Sequence, residues 1–422
     1  MGARRGLVPA RGINHLHSPY SHDACDNNPR DANGVPNEPC LQHLRAALCT
    51  THIDFANLTD HDDSMADEDF ATLFSMRDGD EAVRVGGNQV ASRITCEDGH
   101  QVLVTVGTEN DLMPIMLDHH VPGTAAERHA IYNGTDAAAA QAFRDAGGLL
   151  WLAHTESQPL DRIRALAPDG IEVYNLHANL DPDIRRDYLG LPAAGAIEAA
   201  VELADTQPGH PEPDLALIGF FTPNQPALDT WQTLLAEGRR VAVTAGTDAH
   251  ENALPIMMAD GERGDSYRRT MRWFGNIALV ADPSDIDQIQ AALAAGRNFT
   301  VFELFGTPQG FDVHAGAVEL GGTVAVTDGA TLTVDVPTVL GLDPALPAPT
   351  ITAKIVRVPP GGAPAIVAES PTHLALPLDA PGAYRVEVDI IPAHLGPYLG
   401  DLGPGKAEQT LPWIYTSPIY VQ

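Results

Sequence analysis

The chain has 422 residues, 44% of them hydrophobic, which suits two or three domains with a sizeable core. Its 25 basic residues stand against 56 acidic ones, a formal charge of −31, and such a surface repels phosphate backbones and argues against nucleic acid as a partner. No apolar run approaches the ~20 residues of a membrane span, and no secretory leader is visible at the start.

In chain order, His15-Leu-His-Ser-Pro-Tyr-Ser-His-Asp23 comes first, three imidazoles and a carboxylate in one short segment. His15 and His17 are two apart, so on a strand both point to one face. A helix is expected over 38–49, a strand over His52–Thr59 and a helix over 67–77. Strands over Val83–Ile94 and Gln101–Gly107 follow, then a loop from Leu112 to Tyr132 that carries His119, His120 and His129. A capped helix over Thr135–Ala146 leads into a short strand over Gly148–Ala153, ending at His154. The βα rhythm continues with a helix over 159–167, a strand over Gly170–Asn175 and helices over 193–205 and 226–238. A strand over Arg240–Gly246 ends in Thr247-Asp248-Ala249-His250, and Asn276–Val280, 284–294 and Phe299–Leu304 complete the pattern. Two interruptions, 206–226 and 251–274, are long enough to be lids.

After residue 305 helical periodicity gives way to short alternating runs punctuated by Gly and Pro, which predict a small β-sandwich over 306–422. Residues 1–305 form the catalytic-type unit. Cys25, Cys40, Cys49 and Cys96 are too few for a disulfide scaffold; a Cys25–Cys40 bridge in an oxidising compartment and buried free thiols are both open.

Polar clusters recur at the C-terminal ends of predicted strands: His15/His17, Asp60/His61, Glu109, His154 and Asp248/His250. In a βα barrel those ends converge on one rim. Imidazole with carboxylate suits Zn, Mn or Fe without any thiolate. Glu172 and Asn175 end a strand and are candidates to face the same rim. His43, His52, His100, His129, His177 and His210 are assigned no role.

Together the motifs His15-Leu-His17, Thr59-Asp60-His61, Gly107-Thr108-Glu109, Ala153-His154 and Thr247-Asp248-Ala249-His250 resemble the polymerase-and-histidinol-phosphatase (PHP) superfamily of metallohydrolases. Ser21-His22-Asp23-Ala24 and the closing Pro412–Val421 stretch look closer to its carbaryl-hydrolase-like branch. The resemblance implies a distorted (βα)7 barrel holding two or three divalent ions. On that pattern His15, His17, Glu109 and Asp248 hold the first ion. Glu109 bridges to a second ion, completed by His154 and either His119 or His120, with His120 preferred. His61, His250 and either Asp23 or His22, with Asp23 preferred, hold the third.

A metal-bridging hydroxide then attacks an ester at neutral pH. Asp60 is expected to orient a ligand histidine, or else to cap a helix. Arg268 or Arg269 clamps an anionic substrate as a lid closes. The leading expectation is a phosphoesterase acting on a small anionic substrate. A carbamate or carboxylic ester hydrolase with the same centre is the alternative, and a non-catalytic metal-containing surface protein is a third reading. The β-domain tips the compartment toward export, with a cytoplasmic location as the alternative.

Overall fold

The computed structural model describes residues 4–61, 65–193 and 206–422; the helix expected over 193–205 lies, beyond Ala193, outside the described residues. The strands of the first three hundred residues are β1 (Val8–Leu16), β2 (Phe55–Leu58), β3 (Glu81–Val85), β4 (Asn88–Thr95), β5 (Gln101–Val106), β6 (Met113–Ile115), β7 (Leu149–Leu152), β8 (Gly170–Asn175), β9 (Ala242–Gly246), β10 (Gly275–Val280) and β11 (Asn298–Val301). They form a mixed α/β structure in which β1, β2 and β5 run parallel in one sheet and β7, β8 and β9 run parallel in another. The parallel strands are buried along nearly their whole length, which is why they read as short continuous apolar runs rather than alternating ones. Several bonds join the sheets, among them these. Leu16 bridges Ala249 in parallel beyond the end of β9, and the Leu117 N–H donates to the Val106 carbonyl at 2.8 Å beyond the end of β6.

The helices follow from caps and apolar spacing. In Glu38–Thr50, Cys40, Leu41, Leu44, Ala47 and Leu48 recur at helical spacing and are the buried face, while Asn37 caps the start by accepting from the Cys40 N–H. The helix expected over 67–77 shrinks to one 3₁₀ segment, Phe70–Phe74, closed by Ser75 in the left-handed region. The strand expected over Val83–Ile94 is a hairpin, because Gly86 and Gly87 both take positive φ and turn the chain between β3 and β4. The 112–132 loop contains β6 and a helix, Ala125–Tyr132, started by a Thr124–Glu127 capping box.

The two interruptions are folded into the body. Within 206–226, Leu215, Ala216, Leu217, Ile218, Phe220 and Phe221 are buried in the main core. Within 251–274, Tyr267, Arg269, Met271, Trp273 and Phe274 are buried. Burial of that much apolar surface anchors both segments.

The alternating runs after residue 305 are strands, including Thr331–Asp335, Thr350–Val358, His373–Pro377, Gly382–Ile391, Leu411–Thr416 and Ile419–Val421. In Thr331–Asp335 the period is two, with Leu332 and Val334 inward. A three-stranded sheet stands apart, made of Asp312–Ala315, Thr331–Asp335 and His373–Pro377. The others extend the first sheet, because Leu411–Thr416 pairs antiparallel with β11, Thr300 opposite Tyr415. The four cysteines form two disulfides, Cys25–Cys40 and Cys49–Cys96. No described helix is long and apolar enough to cross a membrane.

Candidate metal centre

Strand β1 ends between β2 and the segment after β9. Thr59 N–H donates to the Leu16 carbonyl, His17 N–H to the Ala249 carbonyl, and Asp248 N–H to the His15 carbonyl. The pleat then presents His15 and His17 on one face, both fully buried, with their Nε2 atoms 3.2 Å apart. Asp248 and His154 both take positive φ, at 52° and 46°. Non-glycine residues in that region carry a backbone cost, and here both are residues that turn into the same cluster.

Two carboxylates sit among the imidazoles. Asp248 Oδ1 lies 3.3 Å from His15 Nε2, 3.4 Å from His17 Nε2 and 3.0 Å from His250 Nε2, while its Oδ2 lies 3.0 Å from His154 Nε2 and 3.2 Å from His177 Nδ1. Glu109 Oε2 is 3.8 Å from both His15 and His17 and 3.4 Å from His61, and Oε1 is 3.7 Å from His154. A third carboxylate, Asp23, places Oδ2 3.1 Å from His250 Nε2 and 3.5 Å from His61 Nε2. Three groups of donors follow, each with ligand atoms within 4.8 Å of one another: His17, Asp23, His61 and His250; His15, His17 and Glu109; and His154, His177 and Asp248.

The outer ring nitrogens are held. His15 Nδ1–H donates to Glu172 Oε1 at 2.9 Å, His154 Nδ1–H to Glu156 Oε1 at 3.2 Å, and His61 Nδ1–H to the Glu109 carbonyl. A carboxylate or carbonyl only accepts, so each Nδ1 carries a proton, and it is Nε2 that turns a lone pair to the centre when the ring is neutral. His17 Nδ1–H donates to Ser21 Oγ at 3.1 Å, and that hydroxyl donates onward to Asp23 Oδ1 at 2.6 Å. Glu172 is fully buried and also accepts from Asn175 Nδ2, so both strand-end candidates on β8 serve this ring.

Electrostatics show how tightly the groups depend on one another. Burial alone would lower the imidazoles. For His61, Asp23 and Glu109 outweigh it and push the pKa up to about 9. For His250, Asp248 and Asp23 push it up to about 10. His17 is driven down to about 3 by burial and by the neighbouring His250. Asp248 is held well below the carboxylate range, since His15 and His250 outweigh its burial. A cluster this acidic and this buried requires cations at its centre, either protons or metal ions. Nitrogen and carboxylate donors with pre-set lone pairs fit divalent Zn, Mn or Fe.

Other expected residues lie elsewhere. His120 is outside the centre: its ring nitrogens pair with the Tyr132 hydroxyl at 2.8 Å and the Glu68 carbonyl at 2.9 Å. His119 is exposed. The His22 ring lies 5.1 Å from the His61 ring but belongs to none of the donor groups, and Asp23 takes the inward position. The Asp60 side chain is hydrogen-bonded to Ser18. Its two oxygens accept from the Ser18 N–H and hydroxyl, fixing the turn after His17, and burial pushes its pKa up to about 7.

Arg268 and Arg269 do not face the centre. Both pair with Asp214; Arg268 also binds Glu262, and the fully buried Arg269 binds Asp260. Sequence reasoning passed over His177, which has no motif of its own. Its only signal is position, two residues past the end of β8.

No family model and no curated protein matches the chain. Among solved structures, it is similar to a two-domain protein containing a predicted PHP-like metal-dependent phosphoesterase from Bacteroides vulgatus. The identity is 13%, the coverage 98% of this chain and 100% of that one, and the TM-score 0.38.

Proposed function

We propose that the protein is a metal-dependent hydrolase of the PHP type, using a di- or trinuclear centre to cleave a phosphoric ester. One observation supports this above all. Four imidazoles, on His15, His17, His61 and His154, each have the outer nitrogen held by an acceptor and the inner nitrogen aimed at shared carboxylates. A structural ion is closed by about four ligands. Here Glu109 and Asp248 are each shared by several imidazoles, an excess that suits adjacent ions. The ions, when bound, supply a Lewis acid and lower the pKa of coordinated water.

The chain's own residues do the rest. Glu109 and Asp248 would be shared between neighbouring ions, and His250 with Asp23 and His61 would hold another. Asp60 fixes the Ser18 turn that orients His17. The side chains of His61, His154, His177 and Asp23 remain about a fifth to a third exposed, which leaves one side open to a small ester. Seven strands, β1, β2 and β5 to β9, would complete the distorted ring, with residues 306–422 as the β-domain. The two disulfides support an oxidising compartment.

A second reading, a carbamate or carboxylic ester hydrolase, is favoured by one finding: Arg268 and Arg269 are committed to carboxylates and supply no anion clamp. Purified protein is expected to carry more than one transition-metal equivalent per chain, and one or none would sink the multinuclear reading. A nitrophenyl phosphate, its bis-ester and a naphthyl carbamate, assayed side by side on metal-reconstituted protein, separate the two chemistries.

A further inference from the structure

Strand Gly382–Ile391 carries a charged row on a face that a helix covers. Its alternation buries Val386, Val388 and Ile390 fully on one side and puts Arg385, Glu387 and Asp389 on the other. That second face meets the helix Gln225–Ala236, with Arg385 Cζ 4.8 Å from the centre of the Trp231 ring. A helix packed on a sheet ordinarily meets an apolar row, because buried charge costs stability unless it is fully paired.

Between this helix and the hairpin of Thr350–Val358 with Ala365–Ser370 runs a groove. It consists of two adjoining cavities of about 390 and 570 Å³ that share Gln232 and Pro364. Arg385, Glu387, Asp389 and Tyr415 line the first, and Asp229 and Thr233 line the second. Each has the size of a small-ligand site, roughly 300–1,000 Å³. Gln225 and Ala236, at the two ends of the helix, lie roughly 16 Å apart along its axis, so the groove suits an extended ligand.

The lining states the chemistry of that ligand. Arg385 is only 2% exposed, and its Nη1 donates to Glu387, yet its Nε has no hydrogen-bond partner among the described residues. Charge is balanced along the groove: Arg385 pairs with Glu387, Lys354 with Asp389 and Arg164 with Glu237. Such a surface holds no net attraction for an anion or a cation. Glu387 and Asp389 each give one oxygen to their cation, so the other can accept from a ligand. Donors and acceptors side by side, between the apolar walls of Leu228, Pro364 and Ile366, match neighbouring hydroxyls on a ring with apolar faces.

We propose that this groove binds a neutral oligosaccharide, with Arg385 donating to its hydroxyls and Glu387 and Asp389 accepting from them. None of the groove's residues belongs to the donor groups of the metal centre, and the proposal needs neither the ions nor the hydrolase reading.

The test is isothermal titration of the full-length protein with hexasaccharides of glucose, mannose, xylose and N-acetylglucosamine. A galacturonic acid hexamer is the anionic control. At least one neutral hexamer is expected to bind, the anionic one is not, and binding is expected to survive EDTA. Gln232→Ala and Glu387→Gln are each expected to weaken binding about tenfold, the loss of one hydrogen bond at such a site. Circular dichroism checks that both variants are folded. Four results would each overturn the proposal: no binding by any neutral hexamer, binding of the anionic hexamer alone, unchanged affinity in either folded variant, or binding abolished by EDTA.

Discussion

A Cβ added to Gly246 would lie 2.0 Å from the Glu172 carboxylate oxygen Oε1. Glycine at the end of β9 is thus the space in which Glu172 reaches His15. Gly246→Ala is expected to cost about 1–3 kcal/mol through overpacking and to displace Glu172 from the His15 ring. Thermal melts and metal titration should both register it; a variant with wild-type stability and metal content would show that the contact is dispensable.

Glu172→Gln keeps the shape and removes the charge. The His15 Nδ1–H then loses its charged acceptor, and metal affinity is expected to fall about 10–100-fold, the usual effect of losing such an outer partner. Competition with a chromophoric chelator measures this. Unchanged affinity would mean that His15 is oriented by the strand alone.

Metal uptake should expel protons. In the ion-free protein His61 and His250, raised to about 9 and 10 by their carboxylate neighbours against the effect of burial, are protonated at neutral pH. An ion must displace those protons, so apparent affinity rises with pH until the groups have titrated, by about tenfold per unit for each displaced proton. Titrating zinc into weakly buffered protein at pH 7 should acidify the solution. No pH change, or affinity that falls between pH 6 and 8, would contradict the ligand assignment.

The arginines of the 251–274 segment act on stability. Arg269 is fully buried against Asp214 and Asp260, whose side chains are 29% and 36% exposed. Arg269→Met is expected to destabilise by roughly 2–4 kcal/mol, somewhat less than the loss of one partner from a fully buried pair, and to leave KM unchanged for any ester that the protein is found to hydrolyse. A raised KM with an unchanged melting temperature would restore the clamp.

The Cys25–Cys40 bridge spans 15 residues. It lies two residues from Asp23, a proposed ligand, and the Cys25 N–H donates to the His250 carbonyl at 2.8 Å. Replacing both cysteines by serine should cost about 3 kcal/mol on the chain-entropy account and weaken metal binding at the site proposed for Asp23 and His250 before the other proposed sites. Equilibrium denaturation and metal counting on the same sample check both halves.

Much of the centre could be read from the strand ends, because alternation fixes which side chains share a face and parallel strands align their ends. His15, His17, His61, Glu109, His154, Asp248 and His250 come together for that reason. What the chain order hid depends on distant partners. His120 has a ligand's chemistry, but Tyr132 in its own loop and Glu68 from another segment take its nitrogens. Arg268 and Arg269 stand between Tyr267 and Thr270 with no acidic residue adjacent, yet Asp214, more than fifty residues earlier, pairs with both. His177 stands in no motif, and the Asn175 cap starts the short helix that carries it. The hairpin at Gly86-Gly87 was legible in principle from its paired glycines.

The pairing of β11 with Leu411–Thr416 has a consequence for synthesis. As the chain leaves the ribosome, β11 emerges with one edge unsatisfied and waits for a partner more than a hundred residues downstream. Until it arrives, Phe299 and Val301 belong to an open sheet edge of the kind that recruits other chains. The centre's scaffold is finished late, and slow translation or early arrest within 306–410 would yield nascent protein that aggregates through β11.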